Sequence, residues 1–205
     1  MAEIVDEYLT ISKPSEGFFK DRGSKFLAFA YPVSTEEEIK KHQEQLRSDY
    51  HDARHHCFAY MLGKDKNVFR TNDDGEPSST AGKPILGQIR SFDLTNILIV
   101  VIRYFGGTKL GVSGLINAYK TASEEALKNA KIVRKTLHDI YELKFEYPVM
   151  NDVMRIMKEE KIEHIDQNFE LSCSITLSLR RANVDKVLSK FDRIENIKIE
   201  FVETR

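Results

Sequence analysis

The spacing of hydrophobic positions changes along the chain, and each pattern predicts a different kind of element. Ile97–Phe105 is almost continuously apolar and β-branched, which predicts a buried strand. Ser113–Lys131 repeats its apolar residues every three or four positions, which predicts an amphipathic helix. Shorter strands are predicted, in chain order, at Tyr8–Ile11, Gly17–Lys20, Lys25–Val33, His56–Leu62 and Val68–Thr71, with the last two forming a hairpin.

Two more helices and two loops complete the first part of the chain. A charged helix is predicted to run to about Tyr50 from an N-cap at Ser34, where Glu37 completes a capping box. A short helix is predicted at Pro84–Phe92, since proline is tolerated in a first turn. The turn formers of NDDGEPSSTAG, residues 72–82, predict a loop, and Gly106–Gly111 predicts another.

The pattern after Lys135 is a compact alternation of strands and helices. Strands are predicted at Tyr141–Tyr147, Ile162–Phe169, Leu171–Leu179 and Ile197–Val202, and helices at Val149–Glu160 and Val184–Phe191. This βαββαβ order is typical of the ferredoxin-like fold. We therefore predict an α+β protein with two domains, residues 1–136 and 137–205.

Composition describes an ordinary globular chain. Hydrophobic residues make up 41% and charged residues 31% of 205 residues, and the formal net charge is −1. Two distant cysteines without a CxxC motif predict neither a disulfide framework nor a zinc site. The start of the chain has no secretory signal pattern and no apolar run is long enough to span a bilayer, so we expect a cytoplasmic protein.

Charge is unevenly distributed around the predicted Gly106–Gly111 loop. Residues 83–135 contain nine Lys or Arg and three Asp or Glu, a balance of +6. Residues 137–205 contain eleven and fourteen, a balance of −3. The basic segment predicts either an anion-binding face or simply the solvated face of the helix at 113–131.

The glycine loop could hold an anion. A strand that ends in Gly106 and Gly107 and leads into a helix can offer free backbone N–H groups at the positive end of the helix dipole. Lys109 would add charge, and Gly111 would allow a close approach. The spacing matches neither of the nucleotide-binding glycine fingerprints, and GxxxG also occurs where helices pack closely.

Arg103 stands near the end of the apolar strand, where an unpaired charge is costly. One interpretation is that a carboxylate such as Asp74 or Glu76 pairs with it. The other is that its guanidinium binds a phosphate or carboxylate of a ligand.

The segment HDARHHC, residues 51–57, is a candidate for catalysis. His51 and His55 are four positions apart, but the segment precedes a strand and has no evident third metal ligand, so no metal site is expected. His55 and His56 should point to opposite faces of that strand. Cys57 lies in an apolar pattern, where thiols are usually inert.

The acidic loop contains Asp73, Asp74 and Glu76 around Gly75. It is too short for an EF-hand. If it meets the glycine loop, a cleft of mixed charge results. In that cleft Asp74 or Glu76 could act as a general base.

The glycine motif is part of a longer signature that resembles the IMPACT (YigZ-like) family. The resemblance extends through HDARHHCFAY and NDDGEPSSTAGKP and covers roughly residues 17–125. The remainder is similar to the small C-terminal domain of bacterial members. The matching positions are Gly82, Ile85, Leu86, Ile89, Leu94, Val100, Val101, Arg103, Tyr104, Phe105, Gly106, Gly107, Leu110 and Gly111.

The resemblance implies more than the residues alone. It implies an N-terminal fold shared with ribosomal proteins and phosphorolytic RNases, with a four-stranded sheet backed by helices. It implies a ferredoxin-like C-terminal domain similar to the last domain of elongation factor G. Eukaryotic relatives act in translational control, where they compete with the activator of a starvation-responsive initiation-factor kinase. They carry a different N-terminal module, so that partner is not transferred to this chain.

Three functional hypotheses remain, and none requires a cofactor. We favour a cytoplasmic, translation-associated regulatory protein that engages RNA, the ribosome or a translation factor through Lys83, Arg103, Lys109 and Lys120 beside the glycine loop. The second is an enzyme acting on a small phosphorylated or acyl substrate, with Asp74 or Glu76 as base and His55 or His56 as acid. The third is a module that recognises only proteins.

Overall fold

A computed structural model describes residues 6–169 and 173–205. Residues 8–135 form one compact unit, and residues 136–205 form a second that also includes Asp6 and Glu7. That these units are separate domains with a boundary at Thr136 stays a prediction. Within the described ranges, no helix is long and apolar enough to cross a membrane.

The N-terminal unit contains most of the elements that the hydrophobic pattern predicts. Its strands are β1 (Glu7–Ile11), β2 (Ser15–Asp21), β3 (Ser24–Pro32), β4 (His55–Leu62), β5 (Val68–Asn72), β6 (Ile97–Tyr104) and β7 (Ile132–Thr136). Its helices are α1 (Glu36–Asp49), α2 (Gly82–Ser91) and α3 (Gly111–Lys128). The hairpin of β4 and β5 is confirmed.

The main sheet of this unit is antiparallel and has the strand order β2-β3-β6-β4-β5. The four-stranded expectation is therefore wrong by one strand, because β5 adds to the edge beside β4. β6 lies in the centre of the sheet. Its residues alternate between two cores, with Ile99 and Val101 facing α2 and α3, and Val100 and Ile102 facing α1. Burial on both faces explains why β6 is continuously apolar.

Two predicted boundaries were wrong. Thr35, not Ser34, caps α1: its hydroxyl accepts a hydrogen bond from the Glu38 N–H, and Glu38 rather than Glu37 reaches back to the Ser34 N–H. Helix α3 ends at Lys128, three residues before the predicted end. The segment that follows forms β7 and pairs with β1, a long-range contact that the helical periodicity could not indicate.

The C-terminal unit has the predicted βαββαβ order. Its elements are β8 (His138–Phe145), α4 (Met150–Glu159), β9 (His164–Phe169), β10 (Cys173–Arg180), α5 (Val184–Phe191) and β11 (Ile197–Thr204). The sheet order is β11-β8-β10-β9, with antiparallel neighbours. Leu171, the predicted start of the third strand, lies outside the described residues. The α+β fold class is confirmed.

Candidate functional site

The register of three strands brings Phe26, His55 and Arg103 into one row at an end of the main sheet. Arg103 on β6 lies opposite Phe26 on β3 and His55 on β4. Since side chains alternate along a strand, His55 and His56 point to opposite faces, as predicted. Phe26 belongs to the core under α2 and α3, so Arg103 faces these helices and the two loops that precede them.

Arg103 forms a buried ion pair with Glu76 of the acidic loop. Its Nη1 donates to Glu76 Oε1 over 2.6 Å, and the two side chains are 7% and 4% exposed. The Tyr119 hydroxyl on α3 donates to the same oxygen over 2.8 Å. The rings of Phe26 and Phe105 lie near the guanidinium, whose central carbon is 5.5 and 5.7 Å from their centroids. Of the two interpretations of Arg103, internal pairing is the one that this geometry supports.

The other carboxylates of the acidic loop hold the loop itself in place. Asp73 Oδ1 accepts a hydrogen bond of 2.8 Å from the N–H of Gly82, the first residue of α2. Asp74 Oδ2 accepts one of 2.6 Å from the His56 N–H, and its Oδ1 lies 3.1 Å from Arg47 Nη2. Donors that stabilise the ionised form make a carboxylate a weaker base. These contacts therefore favour a structural role for both aspartates.

The two candidate histidines have different surroundings. His55 Nδ1 lies 2.8 Å from the Asp74 carbonyl oxygen. His56 is buried, and its Nδ1 is 4.0 Å from Asp74 Oδ2 while its Nε2 has no hydrogen-bond partner. Burial and the charge of Arg47 lower the pKa of His56. Histidine and carboxylate are thus close enough for proton transfer, but the His56 ring is enclosed by the core beside α1.

Cys57 and Tyr119 belong to the same buried network. Cys57 Sγ lies 3.3 Å from the Tyr119 hydroxyl and 3.0 Å from the Asp73 carbonyl oxygen. Burial raises the pKa of the Cys57 thiol, and burial likewise raises the pKa of the Tyr119 hydroxyl. Both groups therefore stay protonated at neutral pH. A neutral thiol is a poor nucleophile, as the apolar pattern around Cys57 predicted.

The glycine loop uses part of its backbone internally. The Gly106 N–H donates to Ser24 Oγ over 3.1 Å. A Cβ at Gly106 would lie 1.9 Å from the Gly23 carbonyl carbon, so only glycine allows this close contact. Gly107 and Gly111 have φ values of +87° and +73° in and just after the loop, which makes helix packing by GxxxG a wrong interpretation. Helix α3 begins at Gly111 with no side-chain cap and no acidic residue in its first turn.

The acidic and glycine loops meet at a cleft of about 360 Å³. Glu76 and Arg103 carry opposite charges in its lining, and Lys109 adds a further positive charge. Most of the lining is apolar, which distinguishes it from the polar cleft that the charges alone predict. The other lining residues are Pro77, Phe105, Leu110, Gly111, Val112 and Leu115.

The predicted cations fall into two groups. Lys83, Lys109 and Lys120 are exposed and form no ion pair with the residues that the structure describes. They belong to α2, the glycine loop and α3, which lie on the same side of the sheet. Arg103 is buried instead. The roles of these residues, and of the loop glycines, in binding an external anion stay predictions.

Tyr119 is the residue of this site that the sequence interpretation missed, because it was assigned only to the apolar stripe of α3. A buried tyrosine hydroxyl usually has a hydrogen-bond partner, so its position in that stripe was a signal that a polar group lies below the helix. Across residues 6–169 and 173–205, no three His, Cys, Asp or Glu side chains are grouped as metal ligands.

Comparison with known proteins shows similarity over both units. The profile of the Impact N-terminal domain matches residues 22–127. IMPACT family member YvyE of Bacillus subtilis is 32% identical over 82% of this chain and 79% of its own length. IMPACT family member YigZ of Escherichia coli is 32% identical over 82% of this chain and 83% of its own. A crystal structure of a hypothetical protein superposes with a TM-score of 0.74 at 29% identity, covering 98% of this chain and 99% of that one.

Proposed function

The chain belongs to the IMPACT family, as its sequence predicted, and on this premise we propose that it is a cytoplasmic regulatory protein of translation. It binds RNA, alone or within the ribosome, through the layer formed by α2, the glycine loop and α3. The family supports the link to translation, because its eukaryotic members act in translational control. Their role in starvation suggests that this chain also acts under stress.

The observation that carries the proposal is the set of exposed lysines on this layer. Lys83, Lys109 and Lys120 have no carboxylate partner among the described residues, whereas other exposed cations of this unit do. Lys40 pairs with Glu44 on α1, and Lys128 pairs with Glu125 on α3. Unpaired lysines on one layer are suited to neutralise successive phosphates of a nucleic-acid backbone.

Salt dependence of RNA binding tests the proposal. The affinity of the protein for a single-stranded homopolymeric RNA is measured by fluorescence anisotropy between about 50 and 200 mM salt. The triple variant Lys83→Gln, Lys109→Gln, Lys120→Gln is expected to bind more weakly. The slope of log affinity against log salt should fall by about 2, because each lost phosphate contact on a single strand removes about 0.7.

A matched triple variant separates this surface from net charge. Lys13, Lys40 and Lys41 are exposed residues of the same unit that lie outside this layer. Their simultaneous change to Gln removes the same charge and is expected to leave the slope largely unchanged. Equal effects of the two triples, or no RNA binding at low salt, would contradict the proposal. Purified ribosomes give the parallel measurement.

The two other hypotheses receive less support. For an enzyme, the predicted bases Asp74 and Glu76 both accept hydrogen bonds from protein groups, and Glu76 is paired with Arg103. A protein-only module would recover a defined partner from extracts after nuclease treatment. RNA binding that requires the three lysines distinguishes our proposal from both alternatives.

A further inference from the structure

The cleft between the acidic loop and α3 combines apolar walls with unused positive groups. Its aliphatic walls come from Pro77, Leu110 and Leu115. Two apolar side chains of its lining, Phe105 and Val112, are 57% and 59% exposed, which is unusual for residues of this size beside a core. A volume of about 360 Å³ is enough for one large aliphatic side chain and the polar group next to it.

Three positive features converge on this cleft. The first N–H groups of α3, at Gly111 and Val112, have neither a capping side chain nor an acidic residue nearby, and they lie at the positive end of an 18-residue helix. Lys109 is exposed in the lining. Arg103 also lines the cleft, and its Nε is buried without any hydrogen-bond partner.

The balance of charge in the cleft is positive. Glu76 compensates the charge of Arg103, which leaves Lys109 and the end of the α3 dipole without a counter-charge. Glu76 Oε1 is already occupied by Arg103 and Tyr119. A ligand that complements this surface therefore carries an anionic group directly beside an apolar group.

We propose that this cleft binds the C-terminus of a polypeptide whose last residue is aliphatic. The terminal carboxylate lies between the first N–H groups of α3 and Lys109, and the side chain enters between Pro77, Leu110 and Leu115. Capture of a chain terminus by backbone N–H groups is a known mode of peptide recognition. The inference is independent of RNA binding, because it concerns the cleft rather than the three exposed lysines as a set.

A peptide fits this surface better than a free acid or a nucleic acid does. The apolar surface continues beyond the cleft to Ile116, which is 39% exposed and lies one turn after Val112 on α3. That turn extends the surface by about 6 Å, the rise of four helical residues. The residues that precede a terminal side chain would cover it. The aliphatic walls offer no broad stack of aromatic rings of the kind that binds bases.

Binding of short peptides to the full chain tests the proposal. The probe is acetyl-Gly-Ser-Leu-Gly-Ser-Leu with a free terminal carboxylate, titrated in heteronuclear NMR experiments without RNA. Amide shifts are expected at Gly111, Val112 and neighbouring residues. The same peptide with a C-terminal amide should bind about tenfold more weakly or worse, since it lacks the charge-assisted hydrogen bonds.

Two variants examine the site from the protein side. Val112→Asp places a carboxylate in the first turn of α3, where it favours the helix but repels a bound anion. It should abolish peptide binding while the protein stays folded by circular dichroism. Lys109→Gln should weaken binding severalfold, whereas Lys41→Gln on α1 should have no effect.

Each other outcome overturns the proposal. Equal affinity for the acid and amide peptides would show that the carboxylate is not recognised. Equal affinity for 4-methylpentanoate would assign the cleft to small acids instead. Shifts confined to other surfaces, or peptide binding that survives Val112→Asp, would remove the site from α3. RNA binding is measured separately, so failure here leaves the proposed function to its own test.

Discussion

Arg103 and Glu76 form a buried ion pair between the central strand of the main sheet and the acidic loop. Arg103 Nη1 and Glu76 Oε1 are 2.6 Å apart, and Tyr119 Oη donates to the same carboxylate oxygen. One carboxylate thus connects β6, α3 and a loop rich in turn residues. The pair positions one side of the cleft, so its integrity is a condition for any function of that cleft.

Loss of one partner of this pair should destabilise the protein strongly. Glu76→Gln keeps the shape of the side chain but leaves the Arg103 guanidinium buried without a counter-charge. The free energy of unfolding should fall by about 3 kcal/mol, as is usual when one member of a buried pair is removed. Urea denaturation followed by circular dichroism measures the change.

An exposed pair provides the control for this experiment. Glu44→Gln breaks the contact with Lys40 on the surface of α1, and a surface pair of this kind contributes little to stability. The double variant Glu76→Gln, Arg103→Met should lose less than the sum of its two single changes, because no charge is left unpaired. Strict additivity would mean that the two side chains do not interact.

Tyr119→Phe isolates the hydroxyl that reaches Glu76. The change should cost about 1.5–3 kcal/mol, because the lost hydrogen bond has a charged acceptor and lies in the core. Tyr31→Phe is the matched control, since the half-buried Tyr31 hydroxyl has no partner in the described part of the chain. Similar losses for the two variants would show that the Tyr119 hydroxyl contributes little through Glu76.

Gly106→Ala and Gly87→Ala should have opposite effects. A Cβ at Gly106 would overlap the backbone of Gly23, whereas one at Gly87 meets nothing within 4 Å. Overpacking of backbone against backbone should cost at least about 2 kcal/mol at Gly106. In α2, replacing Gly87 by alanine should stabilise by about 0.5–1 kcal/mol. Thermal unfolding of both variants gives the sign of each effect directly.

Stability should fall on acidification because of His56. Burial lowers its pKa in the folded state, whereas an unfolded imidazole takes up a proton near pH 6.5. Below that pH the unfolded state binds more protons than the folded state, so the free energy of unfolding falls as pH falls. The loss ends below the folded-state pKa and does not exceed about 1.4 kcal/mol per pH unit for one group.

The pH profile of variants identifies the group. Urea denaturation from about pH 7.5 to about 5.5, spanning the usual histidine pKa, should give a flatter profile for His56→Gln than for the original chain. His51→Gln changes an exposed histidine and should leave the profile unchanged. A steep profile that survives His56→Gln would assign the effect to other groups.

Local sequence patterns predicted most elements because those patterns depend on neighbours in the chain. The alternation along β8 and the continuous apolar run of β6 are local, and Val184–Phe191 was predicted with its bounds. The strand β7 was missed because its only signal is its pairing with β1, more than a hundred residues earlier. The cap of α1 was displaced by one residue because Ser34 and Thr35 are both good caps, each followed three residues later by a glutamate.

The candidate site shows the same division. The chain by itself determined the family, the α+β class and the two segments, at residues 72–82 and 106–111, that face each other in the cleft. Only the tertiary structure decided that Arg103 pairs with Glu76 rather than Asp74, that Tyr119 joins them, and that Gly106 is needed for its contact with Gly23. These contacts join residues 27, 43 and 83 positions apart, and they depend on strand register and helix packing, which no local pattern encodes.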